Sequence, residues 1–271
     1  MKKGEDFFPT RIVCLTEEPT ETLYLLGEEK RIVGISGFTV RPAQAKKEKP
    51  KVSAFSTASI DKIIDLAPDL VIGFSDIQAN IAQELIARGI PVWINNHRTV
   101  AEIYKMIVQI GSLVGKQAEA IELATQLKTS LQHTCHANQQ KTMKPRVYFE
   151  EWDEPLITGI CWVGELIELA GGIDIFSELQ QESLAKDRII QDSDEVVRRN
   201  PDIIIASWCG KKFKKERLVS RQNWNKIKAV KNEFIFEIKS ENILQPGPAA
   251  LTDGVQEIAA IIAKWHSAQG N

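Results

Sequence analysis

The chain predicts an α/β protein of two doubly wound lobes joined by one long α-helix, and three observations carry that reading. Strand-like and helix-like segments alternate through both halves of the 271 residues, the order that builds a parallel sheet covered by helices. One pattern recurs: LAPDLVIGF in the first half and RRNPDIIIASW in the second each run from a helix end through Pro-Asp into a branched apolar strand that stops at an aromatic. Between them, apolar residues at Val100, Ile103, Ile107, Ile110, Val114, Ala118, Ile121, Ala124, Leu127 and Leu131 fall at the three- and four-residue steps of one amphipathic helix. No proline interrupts that stretch, and only Gly111 and Gly115 weaken it. The expected Rossmann-like organisation is an N-terminal lobe over 1–98, a linking helix over 99–137 and a C-terminal lobe over 138–271.

In chain order, RIVCL (11–15) reads as a buried strand. PTETLYLLG (19–27) reads as a helix that opens on Pro19 and stops at Gly27. RIVGIS (31–36) is the second strand. The stretch that follows holds Pro42, Pro50 and a run of lysines and is expected to be loop, with a short strand near Val52. A helix over 58–68 ends at Pro68, and DLVIGF (69–74) is apolar throughout, as a strand buried on both faces requires. A helix over 76–89, capped by Asp76 and closed by Gly89, leads to the strand IPVWIN (90–95).

After the linking helix the alternation restarts with RVYFE (146–150) as a strand. WVGELIELAGG (162–172) is a helix with a glycine stop, followed by IDIF (173–176). A short helix over 194–200 precedes the strand DIIIAS (202–207). Two short helical pieces, the strand EFIFEI (233–238) and a long terminal helix over 247–268 complete the chain.

Composition excludes several classes. A net charge of −2 gives no electrostatic basis for nucleic-acid binding. No apolar run is long enough to cross a bilayer, so the chain is not expected to be membrane-inserted. MKKGEDFFPTRIVCL carries lysines but no apolar core of a signal peptide, and as written it is expected in the cytoplasm; a trimmed start would place it in the periplasm or at the cell surface. Cys14, Cys135, Cys161 and Cys209 lack CxxC or metal-ligand spacing and read as four unbridged thiols.

No catalytic set emerges. There is no GxGxxG, P-loop or GxSxG. His133 and His136 have i, i+3 spacing but no third ligand nearby, so no metal is assigned. Cys209 has no identifiable base partner; an enzyme using it with Glu150 or Glu151 is the weakest of the readings left open. Glu150, Glu151, Asp153 and Glu154 are expected to point into water, and Lys211, Lys212, Lys214 and Lys215 to form a solvated face.

The richer signal is aromatic. Phe38, Phe74, Trp152, Trp162 and Trp208 all fall at or just past expected strand ends, where ligands of open α/β sheets bind. Pockets for large flat ligands are walled by aromatics with a few polar groups among them. Ser75, Cys209 and Gln245 are the leading polar candidates; Ser36, Thr39, Arg41, Gln78, Asn96 and Glu151 are further ones. Phe74 and Trp208 occupy matched positions in the two halves and are expected on the two walls of one cleft between the lobes.

These segments together resemble the substrate-binding proteins of ABC importers for vitamin B12 and iron complexes. The likeness runs through RIVCLTEEPTETLYLLGEEKRIVGIS, LAPDLVIGF, PLITG with WVGELIELAGGIDIF, NPDIIIASWCG and QPGPAALTDGVQEIA, and it covers nearly the whole chain. It is closest to the cobalamin-binding subgroup. The resemblance implies the class III periplasmic-binding-protein fold and binding without catalysis. The implied ligand is a corrinoid such as cobalamin, or else an iron-siderophore or haem, held with no intrinsic cofactor and passed to an ABC permease. A cytoplasmic sensor, store or carrier on the same fold is the alternative.

Two departures stand out. Where the family often has arginines flanking the PGP, this chain has Gln245 and Ala249-Ala250. Where it often has permease-docking acids, this chain has Asn80 and Lys214, with Asp76 and Glu216 nearby.

Overall fold

The structure is a computed structural model describing residues 7–270. The chain divides into two compact units. The first runs to His97 and includes Ala101–Gln126; the second comprises Arg98–Val100 and the chain from Leu127 onward.

The first unit alternates β1 (Ile12–Cys14), α1 (Glu17–Leu25), β2 (Ile32–Ser36), α2 (Ala43–Glu48), β3 (Lys51–Ser53), α3 (Ile60–Asp65), β4 (Leu70–Phe74), α4 (Ala79–Ala87) and β5 (Val92–Asn95). All five strands are parallel, in the order β3-β2-β1-β4-β5. The chain winds outward from β1 to β3 and then returns to place β4 on the other side of β1. That reversal opens a crevice past the carboxyl ends of β1 and β4. Val13, Leu15, Val52, Ile63, Val71 and Leu85 pack as one buried core, which is why these strands are apolar without alternation. Helix α2 lies in the stretch expected to be loop. AQAKKE consists of helix-compatible residues, and Pro42 at its N-cap starts rather than breaks it.

The single linking helix expected over 99–137 is two helices, α5 (Val100–Leu113) and α6 (Gln117–Gln139). Gly115 adopts a left-handed φ of 74°, and the Lys116 N–H bonds back to the Gly111 carbonyl at 2.7 Å. This is a glycine-closed helix end. The apolar period continues across it because both helices bury one face, so periodicity alone concealed the break. A Cβ on Gly111 would lie 2.3 Å from that of Ala120, so glycine is also what lets the chain turn so tightly. The boundary between the units at residues 126–127 falls inside α6.

The second unit contains β6 (Arg146–Asp153), β7 (Leu156–Thr158), α7 (Cys161–Leu169), β8 (Ile173–Asp174), α8 (Asp194–Arg199), β9 (Ile203–Ala206), α9 (Lys215–Val219), α10 (Lys228–Lys231), β10 (Ile235–Glu237), α11 (Ser240–Ile243) and α12 (Val255–Ala268). Its sheet runs β10-β9-β6-β7, with β8 also on β6. Strands β10, β9, β6 and β8 are parallel, and β7 folds back antiparallel on the end of β6. Sequence reading did not anticipate that hairpin. Its effect is to extend β6 to Asp153 and to hold Trp152 within a paired strand.

The repeated Pro-Asp pattern does the same physical work twice. The Asp69 carboxylate accepts from the Thr10 and Arg11 backbone N–H groups at 2.7 and 2.9 Å, fixing the start of β1. Asp202 accepts from the Arg146 N–H at 3.0 Å, fixing the start of β6. In return Arg11 reaches the carbonyls of Leu66 and Ala67, and Arg146 that of Arg199. These carbonyls lie at helix ends, where acceptors lack intrahelical partners. Ala67 and Asn200, each just before the proline, have left-handed φ values of 43° and 47°. Burial pushes the Asp69 carboxyl up, but the donors from Thr10 and Arg11 outweigh it and hold the group below the usual carboxylate range.

Candidate functional site

In the first unit, the strand ends are organised by a glutamine. Strand β4 ends at Phe74, and Ser75 then takes a left-handed φ of 62° while its N–H bonds the Asn95 carbonyl at 2.6 Å. The turn brings the fully buried Gln78 back under the strand. Its Oε1 accepts the Phe74 N–H at 2.9 Å and its Nε2 donates to the Phe55 carbonyl at 2.9 Å. A Cβ on Gly73 would stand 2.6 Å from that Oε1, so a glycine is required for so close an approach. One side chain thereby ties the end of β4 to the loop after β3.

Around this tie the expected residues separate. Phe74 is buried, its ring edge-on to His97 at 5.2 Å, and Ser75 is buried. Phe38, in the turn after β2, is 52 % exposed, and Phe55 and Ile77 are exposed near the ends of β3 and β4. A pocket of about 520 Å³ lies beside β5, with Ala79, Ala82, Ile86 and Ile94 as its apolar wall and Ser75, Asp76 and Asn96 among its polar groups.

Sequence reasoning missed Glu18, in the first turn of α1 past the end of β1. It is 1 % exposed; one carboxyl oxygen takes the Thr16 hydroxyl at 2.7 Å, and the other has no hydrogen-bond partner among the described residues. Burial pushes this carboxyl up to about 7, against a smaller lowering by the Thr16 hydroxyl. No pattern in EEPTE separates a buried glutamate from an exposed one, so only the packing of α1 discloses it.

In the second unit, the acids of EEWDE all pair with cations, and three of the four, Glu150, Glu151 and Asp153, are drawn out of water against expectation. Glu150 is fully buried and takes two bonds from Arg221, at 2.5 and 2.9 Å, and one from the Trp208 indole N–H at 3.0 Å. Glu151 pairs with Arg188, itself 2 % exposed, at 2.6 and 3.2 Å. Asp153, 5 % exposed, meets Lys211 at 2.5 Å. Glu154 alone is exposed, and it bonds Arg217 at 3.0 Å. Strand β6 buries both its faces here, and a carboxylate in such a place needs a cation. Burial works against the charge on Arg221, and its bonds to Glu150 outweigh that and raise it. Tyr148 is pushed well above its ordinary value, first by burial and then by the Glu150 charge.

These pairs set the places of the tryptophans. Trp208 is only 4 % exposed, with the Phe213 ring edge-on at 5.0 Å. Trp152 is half-buried and donates its indole N–H to the Glu154 carbonyl at 2.8 Å. Trp162 is buried in α7 and donates to the Ile243 carbonyl at 2.9 Å. Cys209 is exposed and Gln245 half-buried.

The structure brings Trp152 and Trp208 together through Lys211, whose ammonium lies 5.0 Å from one ring centroid and 5.2 Å from the other. Lys211 was expected on a solvated face. Its signal was the preceding WCG: Gly210, at φ 69°, is the third residue of a turn in which the Lys211 N–H bonds the Trp208 carbonyl at 3.3 Å. That turn folds the lysine back over the ring.

None of the four cysteines is in a disulfide. Among the described residues, no group of three or more His, Cys, Asp or Glu is placed to hold a metal ion, and no helix is long and apolar enough to cross a membrane.

The sequence profile of the family described as periplasmic binding protein matches residues 12–242. This chain belongs to that family. Over 266 residues it is 27 % identical to YvrC of Bacillus subtilis (strain 168), an uncharacterized ABC transporter substrate-binding lipoprotein, covering 94 % of this chain and 80 % of the relative. It is 24 % identical over 248 residues to the vitamin B12-binding protein of Vibrio parahaemolyticus, covering 89 % and 85 % of the two chains. Among solved structures, the periplasmic vitamin B12 binding protein BtuF of Vibrio cholerae superposes with a TM-score of 0.74 at 21 % identity, over 95 % of this chain and 98 % of that one. The fold is therefore the class III periplasmic-binding-protein fold, as the sequence predicted.

Proposed function

We propose that this protein binds a corrinoid of the cobalamin class, without chemical change, as the substrate-binding component of an ABC importer. The observation that carries the reading is the likeness to vitamin B12-binding proteins along nearly the whole chain. The strand ends support it. Phe38 and Trp152 present aromatic surface there, and such surface suits a large flat ligand. The acids that a hydrolytic or acid-base mechanism would use are engaged otherwise, Glu150 by Arg221 and Glu151 by Arg188. Corrin contact is assigned to Phe38 in the first unit and to Trp152, Cys209 and Gln245 in the second. Phe74 and Ser75 in the first unit and Trp162 and Trp208 in the second are buried, and their part is to support the strand ends of their own unit.

The test is a titration of the purified protein with cyanocobalamin, followed by tryptophan fluorescence and calorimetry. Saturable quenching accompanied by heat is the expected result. Absence of both at high micromolar ligand would sink the corrinoid assignment. Reconstitution with a candidate permease in vesicles separates an importer component from a carrier or sensor: ligand-loaded protein should stimulate ATP hydrolysis by the permease.

A further inference from the structure

We infer that Lys211 selects for a phosphate group on the bound corrinoid, an inference that rests on the function proposed above. Lys211 stands at the carboxyl ends of the adjacent parallel strands β6 and β9, with its ammonium over the rings of Trp152 and Trp208. One of its three donors is held by the buried Asp153 at 2.5 Å, which fixes where the charge sits. The side chain keeps 30 % of its exposure, and an ammonium has two further donors beside the one that Asp153 holds. An ammonium anchored in this way loses little freedom when an anion arrives, and a charge-assisted hydrogen bond follows at small entropic cost.

The surroundings carry the same sign. Lys211, Lys212, Lys214, Lys215 and Arg217 lie within seven residues, faced by the carboxylates of Glu216, Asp153 and Glu154. Lys212 and Lys214 are exposed and make no ion pair among the described residues. The excess of cations survives the local pairing. A flat macrocycle stacked beside Trp152 would bring a phosphodiester on its periphery within reach of this charge. Neutral amide side chains of the same macrocycle gain nothing comparable from an ammonium. Lys211 is therefore a specificity residue, distinct from the aromatic surface that supplies general affinity.

The experiment compares cyanocobalamin, which carries the nucleotide phosphate, with dicyanocobinamide, which lacks it. Wild type, Lys211→Met and Lys211→Arg are titrated by calorimetry at low and high sodium chloride. Wild type should bind cobalamin about tenfold more tightly than cobinamide, the low end of what one bond to a charged group supplies. Lys211→Met should lose that difference by weakening cobalamin alone, and Lys211→Arg should recover most of it. Salt should weaken wild-type binding of cobalamin and leave cobinamide nearly unchanged, a reading that needs no variant. Equal binding of the two corrinoids by wild type overturns the inference. So does equal weakening of both by Lys211→Met, which would make the lysine only a brace for the rings. Absence of binding by both corrinoids overturns it together with the corrinoid reading, whereas binding without discrimination overturns it alone.

Discussion

Replacing Glu18 by glutamine tests the account of the first unit most directly. The carboxyl is 1 % exposed, one oxygen has no hydrogen-bond partner among the described residues, and burial moves the group from an ordinary 4.5 to about 7. A difference of that size makes the ionised form cost about 3 kcal/mol in the folded state. The direction follows from linkage. Below pH about 4.5 both the folded and unfolded chains hold the proton and the group costs nothing. Between 4.5 and 7 the unfolded chain releases it while the folded chain keeps it, so stability falls as pH rises. Above about 7 the loss is complete.

Glutamine cannot ionise and escapes this loss. Its amide nitrogen inherits the unpartnered position, which gives back roughly 1 kcal/mol. Glu18→Gln should therefore be about 2 kcal/mol more stable than wild type at pH 8 and equal or slightly less stable at pH 4. Urea unfolding of both proteins at pH 4, 6 and 8, compared by midpoint and slope, reads the difference. The reasoning is refuted if the gap between the two proteins is the same at pH 4 and pH 8, or if the variant is the weaker at pH 8.

Two further substitutions probe the strand ends. Arg221→Met leaves Glu150 buried without its cation and should cost about 3–5 kcal/mol; adding Glu150→Gln should restore part of that, so a double-mutant cycle in urea checks the coupling. Gly73→Ala places a methyl 2.6 Å from the Gln78 Oε1 and should break the tie between β4 and the loop after β3, costing about 2 kcal/mol and speeding amide exchange at Phe74. Unchanged exchange at that amide would show the tie to be dispensable.

Sequence by itself determined the features that rest on local pattern. Apolar runs marked β4 and β9 because a strand covered on both faces tolerates no alternation. The Pro-Asp repeat marked the two sheets because each aspartate must cap the strand beside it, at Thr10 and Arg11 in one unit and at Arg146 in the other. Tertiary structure decided what depends on residues far apart in the chain. Glu150 and Arg221 are 71 residues apart, and nothing near either one announces a buried pair. Gly115 reads in sequence as a weak point in one helix, yet its left-handed backbone ends α5 and starts the chain toward α6. Trp208 reads as a strand-end aromatic open to ligand, yet Phe213 and the turn at Gly210 cover its ring and bring Lys211 over it. Periodicity reports which face of an element is buried. Which partner buries it, and which charge must follow it inside, is settled only when distant segments meet.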